Sequence, residues 1–205
     1  MRSSGSGIRA LVIMVLTLAP SGSGLAQQES IPTFGTTVVI PFGLRGLVYH
    51  LRTNTRRLPD LHKLKHRGKA IYTESLNIPP HHFDQGFPGV STRFEWFAID
   101  YTGRFWIEQA GLYTFSLTSD DGSRLSIDGG LVVDNDGTHP PRTREESVML
   151  RRGIHTLRVE YFQGPRFQVA LILEVARPGE EPRVFSTEEF KPPPNPADWI
   201  LPESN

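Results

Sequence analysis

Cysteine is missing altogether from the 205 residues. That excludes disulfides, thiolate-bound metals and thiol nucleophiles, and leaves core burial to hold the chain together. A charge imbalance is missing too. Lys and Arg number 22, as do Asp and Glu, which gives no support for general nucleic-acid or membrane-surface binding. No stretch sustains the 3.6-residue periodicity of an amphipathic helix. Gly-x-Ser-x-Gly, His-Glu-x-x-His and phosphate-binding glycine loops are all absent, so the common signatures of hydrolases, zinc proteases and nucleotide enzymes are not found.

What is present begins with an export signal. Arg2 and Arg9 form a positive lead, and Ala10 to Ala19 an apolar run too short to span a bilayer. Gly24 and Ala26 fit the small-residue cleavage positions. Residues 1–26 are therefore expected to be a signal peptide, the protein secreted or periplasmic, and no transmembrane segment to remain after cleavage. Without Arg2 and Arg9 the balance becomes 20 basic against 22 acidic residues. The remaining chain, about 180 residues, is long enough for one sizeable core. Residues 27–45 read as a lead-in, 46–190 as one domain, and the proline-rich 191–205 as an extended tail.

Period-two alternation replaces helical patterning. Tyr113, Phe115 and Leu117 fall on one face with hydroxyls opposite, and Leu157, Val159 and Tyr161 repeat the pattern. Val169–Val175 is apolar on both faces and reads as a central, doubly covered strand. Asp128-Gly129 between two short apolar runs is the chemistry of a type I′ hairpin. Ser186 with Glu189 makes a capping box, which predicts one helical turn over 186–190. Short strands with turn signals at this spacing predict an all-β, antiparallel two-sheet β-sandwich, jelly-roll-like in kind.

From Gly111 the sequence runs GLYTFSLTSDDGSRLSIDGGLVVDNDGTH, then VMLRRGIHTLRVEYFQGPRFQVALILEV. A G-x-Y-x-F strand leads into S-D-D-G-x-x-L-x-I-D-G, then D-x-x-G-x-H, L-x-x-G-x-H and V-x-Y. This resembles the protective-antigen (PA-fourteen) domain family, first named from the anthrax toxin component and found in yeast flocculins, epithelial adhesins and bacterial glycosidases. The likeness is specific over Arg93–Val175 and looser from Gly46 to Val90. It implies a carbohydrate-binding sandwich with function in the loops at one end. It further implies a calcium ion held by adjacent, cis-linked aspartates, here Asp120 and Asp121. The resemblance adds Gln163 as a third metal ligand, and Gly164, Arg166 and Phe167 in the loop that meets the carbohydrate. Calcium takes six to eight oxygen ligands at roughly 2.3–2.6 Å, so vicinal sugar hydroxyls can replace two of its waters. The same resemblance admits a metal-free sandwich that binds a protein partner or serves as a structural subunit of a cell-surface assembly, against a carbohydrate module in adhesion or glycan capture. Phe162 and Phe167 flank the second loop and offer rings to a sugar or to the core.

Other polar groupings read differently. Asp134-Asn135-Asp136-Gly137 departs from EF-hand spacing and reads as an Asx-rich turn, with His139 bonding across the loop. His81 and His82, with Asp84, offer transition-metal ligands, but no further strong donor is evident and solvated histidines are the plainer reading. Glu145-Glu146 and Glu188-Glu189 raise a glycosidase possibility, but lie in charged, exposed contexts that leave no raised pKa, so no enzyme is expected. Arg56, Arg57, Lys63, Lys65, Arg67 and Lys69 form a basic stretch, by default a solvated loop, with an anionic polysaccharide or lipid headgroup as its functional reading.

Overall fold

The computed structural model describes residues 42–90, 93–195 and 199. The expected signal peptide, its Gly24–Ala26 cleavage site and most of the lead-in lie outside them. Eleven strands account for the domain: β1 Leu44–His50, β2 His66–Thr73, β3 Asn77–His82, β4 Phe97–Ile107, β5 Gly111–Asp120, β6 Ser123–Ile127, β7 Gly130–Asn135, β8 Arg142–Leu150, β9 Gly153–Gln163, β10 Gln168–Ala176 and β11 Arg183–Val184. One sheet has the order β2-β1-β4-β9-β6-β7, and the other β11-β10-β5-β8 with β3 also pairing β10. Every described pairing is antiparallel, as the alternation requires.

The inward residues of both sheets meet in one core. Tyr113, Phe115 and Leu117 of β5 face Leu157, Val159 and Tyr161 of β9, all buried. Phe97, Phe105, Phe115, Phe185 and Tyr161 supply its aromatic centre, with Phe105 edge-on to Phe115 and Phe185. Each such fully buried side chain contributes roughly 1.5–3 kcal/mol, which is how the fold dispenses with disulfides. A second, smaller cluster joins Leu51, Leu58 and Leu61 to Tyr49, Ala98 and Phe162. Phe162 is therefore a core residue, not a sugar platform.

Asp128 (φ 50°) and Gly129 (φ 80°) both have positive φ, so the β6–β7 hairpin has the type I′ form. β10 is central in its sheet, yet Ile172 and Glu174 on its outer face are half-exposed. It is covered on one face only, because among the described residues no further layer lies over it. Residues 186–190 form a hydrogen-bonded turn and no helix. The capping box fails because Glu189 points to Arg183 and Arg177 instead of back to Ser186. The tail at Lys191–Asn195 joins no strand, but Trp199 returns to within 6.3 Å of Trp106, so it is not wholly clear of the sandwich.

Candidate functional site

Three connections cross between the sheets side by side at one end. Asp120-Asp121-Gly122 carries β5 into β6, residues 136–141 carry β7 into β8, and residues 164–167 carry β9 into β10. Asp121 ties them together. Its Oδ1 accepts from the backbone N–H of His139 at 3.1 Å and its Oδ2 from that of Gly164 at 2.7 Å. The Asp120–Asp121 peptide bond is cis.

Glycine makes this approach possible at two places. A Cβ on Gly164 would stand 2.9 Å from Asp121 Oδ2, and one on Gly122 would stand 2.4 Å from the Phe162 ring and 2.8 Å from the backbone nitrogen of Gly137. Gly122 also gives its carbonyl to Phe162 N–H at 2.9 Å.

Asp120 differs from its neighbour. It is buried, yet among the described residues no donor or cation reaches its carboxylate. Burial, and secondarily the charge of Asp121, push its pKa up to about 7. Burial likewise raises Asp121, opposed by the N–H groups of Gly164 and His139. The pair is a concentration of negative charge with too few donors, an arrangement that a divalent cation relieves. Its oxygens are hard donors of the kind calcium prefers, and the donor set fits that ion. Among the described residues no group of three His, Cys, Asp or Glu side chains could hold a metal. Any further ligand would be a backbone or side-chain amide carbonyl, water or a ligand's hydroxyls.

Gln163 is brought to the site but is differently occupied from the expectation. It is fully buried, its Oε1 faces the Tyr161 hydroxyl, and its Nε2 donates to the carbonyls of Gln168 (3.0 Å) and Pro165 (3.4 Å). In this arrangement it braces the 164–167 loop. Arg166 pairs with Glu95 at 3.3 Å and lies 5.8 Å over the Phe83 ring, while Phe167 is 76% exposed with its ring in solvent. Of the two aromatics flanking this loop, Phe162 and Phe167, only Phe167 offers a free face.

His139 bonds across the loop as expected, through its backbone N–H to Asp121, whereas Tyr161 is a polar contact of the site that sequence reasoning passed over. The Tyr161 hydroxyl donates to the Asp120 carbonyl at 2.6 Å. Its place in the V-x-Y strand was the available signal, but alternation assigns it only to the core. The remaining groupings stay structural. Asp136 accepts from Arg124, from Leu58 N–H and from Gly137 N–H, and Asn135 is buried. His82 pairs with Asp84, while His81 lies between the carbonyls of Pro79 and Gly86. Glu145, Glu146, Glu188 and Glu189 are exposed.

A family model for the PA14 domain matches residues 49–189. The anti-sigma-I factor RsgI3 of Acetivibrio thermocellus is 25% identical over 122 residues, which is 59% of this chain and 18% of the relative. The chain thus spans under a fifth of that protein. Among solved structures, an anti-sigma factor domain-containing protein matches with TM-score 0.59 and 21% identity, over 80% of this chain and 51% of that one. A PA14 sugar-binding domain from an RTX adhesin matches with TM-score 0.57 and 18% identity, over 73% and 97%. The A domain of epithelial adhesin 9 from Candida glabrata, solved with Galβ1-3GlcNAc, matches with TM-score 0.52 and 14% identity, over 78% and 93%. At these identities the structural likenesses speak for the fold.

Proposed function

Because the chain belongs to the PA14 domain family, we propose that it is an exported carbohydrate-binding module. On this reading it bridges vicinal sugar hydroxyls through a calcium ion at Asp120 and Asp121, in adhesion or glycan capture. One observation carries the proposal: the buried Asp120 carboxylate has no donor and no cation among the described residues, beside a second buried carboxylate. A purely structural aspartate has its oxygens satisfied by donors of the fold, as Asp136 does here. The sugar-binding RTX adhesin domain and the adhesin 9 A domain with its bound Galβ1-3GlcNAc support the same reading.

In this mechanism Asp120 and Asp121 would hold the ion, and the chemistry it would supply is electrostatic attraction for sugar hydroxyl oxygens. The protein's own groups do the rest. Gly164 and His139 orient Asp121 through backbone N–H groups, Tyr161 fixes the Asp120 carbonyl, and Gln163 braces the loop carrying Phe167. The exposed Phe167 ring is available to the apolar face of a sugar. No step requires proton transfer to substrate, so the module is read as a binder and not an enzyme.

A metal-free reading has one observation in its favour: the Gln163 side-chain oxygen already faces Tyr161. In that case the sandwich serves a protein partner at the cell surface, or is one part of a longer protein such as the anti-sigma factor it resembles. Thermal unfolding with calcium or with EDTA, followed by a glycan array, separates the two. A ligand at about a hundredfold over its Kd stabilises by about 2.7 kcal/mol, or roughly 5–11 °C for a domain of this size. Asp120→Ala should remove both the shift and the glycan signal. Absence of a shift, with glycan binding that survives EDTA, would make the metal-free reading correct.

A further inference from the structure

The neutral total charge hides a sharp division. Residues 43–73 carry Arg45, Arg52, Arg56, Arg57, Lys63, Lys65, Arg67 and Lys69 against a single acid, Asp60. Residues 74–195 carry 12 basic and 18 acidic residues, so the surplus is reversed over the rest of the domain. All eight cations are exposed, and among the described residues only Lys63 has a carboxylate partner, Asp60 at 3.0 Å. Positive charge is crowded enough that, after burial, Arg93 and Arg67 push the pKa of His50 down.

Nor is the basic segment a free loop. Leu51, Leu58 and Leu61 are buried against Phe162, whose neighbour is Gln163. Leu58 N–H donates to Asp136 at 2.8 Å, and Asp60 caps the turn at His62. Its cations are thus held on a packed scaffold, which lowers the entropy lost when they engage a ligand. The segment also reaches the site. A cleft of about 380 Å³ is lined by Asn54, Thr55, Arg56, Trp96, Thr138 and Pro165. Thr138 and Pro165 adjoin His139 and Gly164, the two residues that hold Asp121.

We propose that the glycan taken at this end is acidic, its carboxylate or sulfate groups seated on the basic face from Arg52 to Lys69 while its neutral hydroxyls engage the aspartate end through the Arg56 cleft. This rests on the glycan-binding reading above for the neutral contacts. An acidic polymer fits better than an anionic membrane. Of the basic segment's own side chains only Leu64 is an exposed large apolar one, at 38%, and no amphipathic helix is present among the described residues to enter a bilayer.

The test compares a hexuronate tetramer, the same tetramer methyl-esterified, dextran sulfate, dextran and phosphatidylglycerol vesicles, by calorimetry on the purified protein. The variants are Arg56→Gln with Arg57→Gln, and Lys65→Gln with Arg67→Gln and Lys69→Gln, all at exposed positions. At about 0.05 M salt the acidic chain should bind at least tenfold tighter than its neutral counterpart, with the advantage lost at about 0.5 M, where screening shortens to a few ångströms. Each variant should lose the same tenfold without a change in melting temperature, and the uronate and sulfate arms identify the favoured group. Equal, calcium-dependent affinity for charged and neutral chains would overturn the inference while leaving the calcium reading intact. Acid-selective binding indifferent to EDTA and to Asp120→Ala would support the basic face and defeat the calcium reading. Binding to vesicles alone would assign the face to membranes and overturn the inference.

Discussion

The Tyr161 hydroxyl reaches across from β9 to the carbonyl oxygen of Asp120 at 2.6 Å, and the same hydroxyl faces Gln163 Oε1. One phenolic group therefore links the backbone of the first aspartate to the residue that braces the facing loop. Burial, with the charges of Asp121 and Asp120 adding to it, holds this phenol well above its ordinary pKa, so it stays a donor at any working pH.

Tyr161→Phe keeps the ring and removes the link. Losing a buried hydrogen bond, with an acceptor left behind, costs about 1–3 kcal/mol. The melting temperature should drop, and the calcium-induced shift should shrink without vanishing, because both carboxylates remain. Unfolding curves with and without calcium read both effects. A variant as stable and as calcium-responsive as the parent would mean that the hydroxyl braces nothing.

Asp136 is the hub of the neighbouring crossing. Its carboxylate is 2% exposed and accepts from Arg124 Nη2 at 2.7 Å, Leu58 N–H at 2.8 Å and Gly137 N–H at 2.8 Å. Asp136→Ala strands all three donors, one of them charged, and should cost about 2–4 kcal/mol after allowing for the partial exposure of Arg124. Denaturant unfolding measures it. Asp136→Asn, which keeps an acceptor, should recover part of the loss.

The sequence made the frame legible because alternation and burial share one cause. Tyr113, Phe115 and Leu117 alternate with hydroxyls, and the sheet buries one face. The Asp128-Gly129 hairpin was legible because few residues tolerate positive φ at both positions. The aspartate pair was legible through a motif. Its surroundings were not, because Gly164, His139 and Tyr161 act on it from 18 to 43 residues away along the chain. Local chemistry misled where a long-range partner won. Glu189 left its capping box for Arg183, and the basic stretch proved to be bolted down by leucines that a linear reading places in a loop.

The raised pKa of Asp120 fixes the sign of a pH effect. Its folded value of about 7 exceeds the ordinary 3.8, so the folded state binds the extra proton between those limits. The group's contribution to stability is therefore fully present below about pH 4 and lost as pH rises through about 7. Without calcium, Asp120→Asn should stabilise the protein at pH 8 relative to the parent and make little difference at pH 4. Calcium competes with that proton, so its thermal shift should grow from pH 5 to pH 8 in the parent and be absent in the variant. Melting temperatures across pH, in EDTA and in calcium, test both. A parent whose apo stability rises through pH 7 relative to Asp120→Asn would contradict the assignment.

Gly122 and Gly164 both stand where a methyl group has no room, but what each would strike differs. At Gly164 the nearest atom is Asp121 Oδ2 at 2.9 Å, the end of a side chain, with the Phe162 ring next at 3.4 Å. Gly164→Ala is accommodated by pushing the carboxylate aside, so the metal-free fold should lose about 2 kcal/mol, a low overpacking cost plus the hydrogen bond given up. The displaced carboxylate loses its bond from Gly164 N–H and its alignment with Asp120, and calcium affinity should fall at least tenfold. At Gly122 the new methyl would meet the Phe162 ring at 2.4 Å and the Gly137 backbone at 2.8 Å. Neither can step aside, since Phe162 is fully buried in the second cluster and Gly137 belongs to the Asp136 turn. Gly122→Ala should cost about 3 kcal/mol or more, with site and fold failing together. Calorimetric calcium titration beside denaturant unfolding of both variants distinguishes the two. If Gly164→Ala bound calcium as tightly as the parent, Asp121 would not be a ligand in the geometry its N–H partners impose.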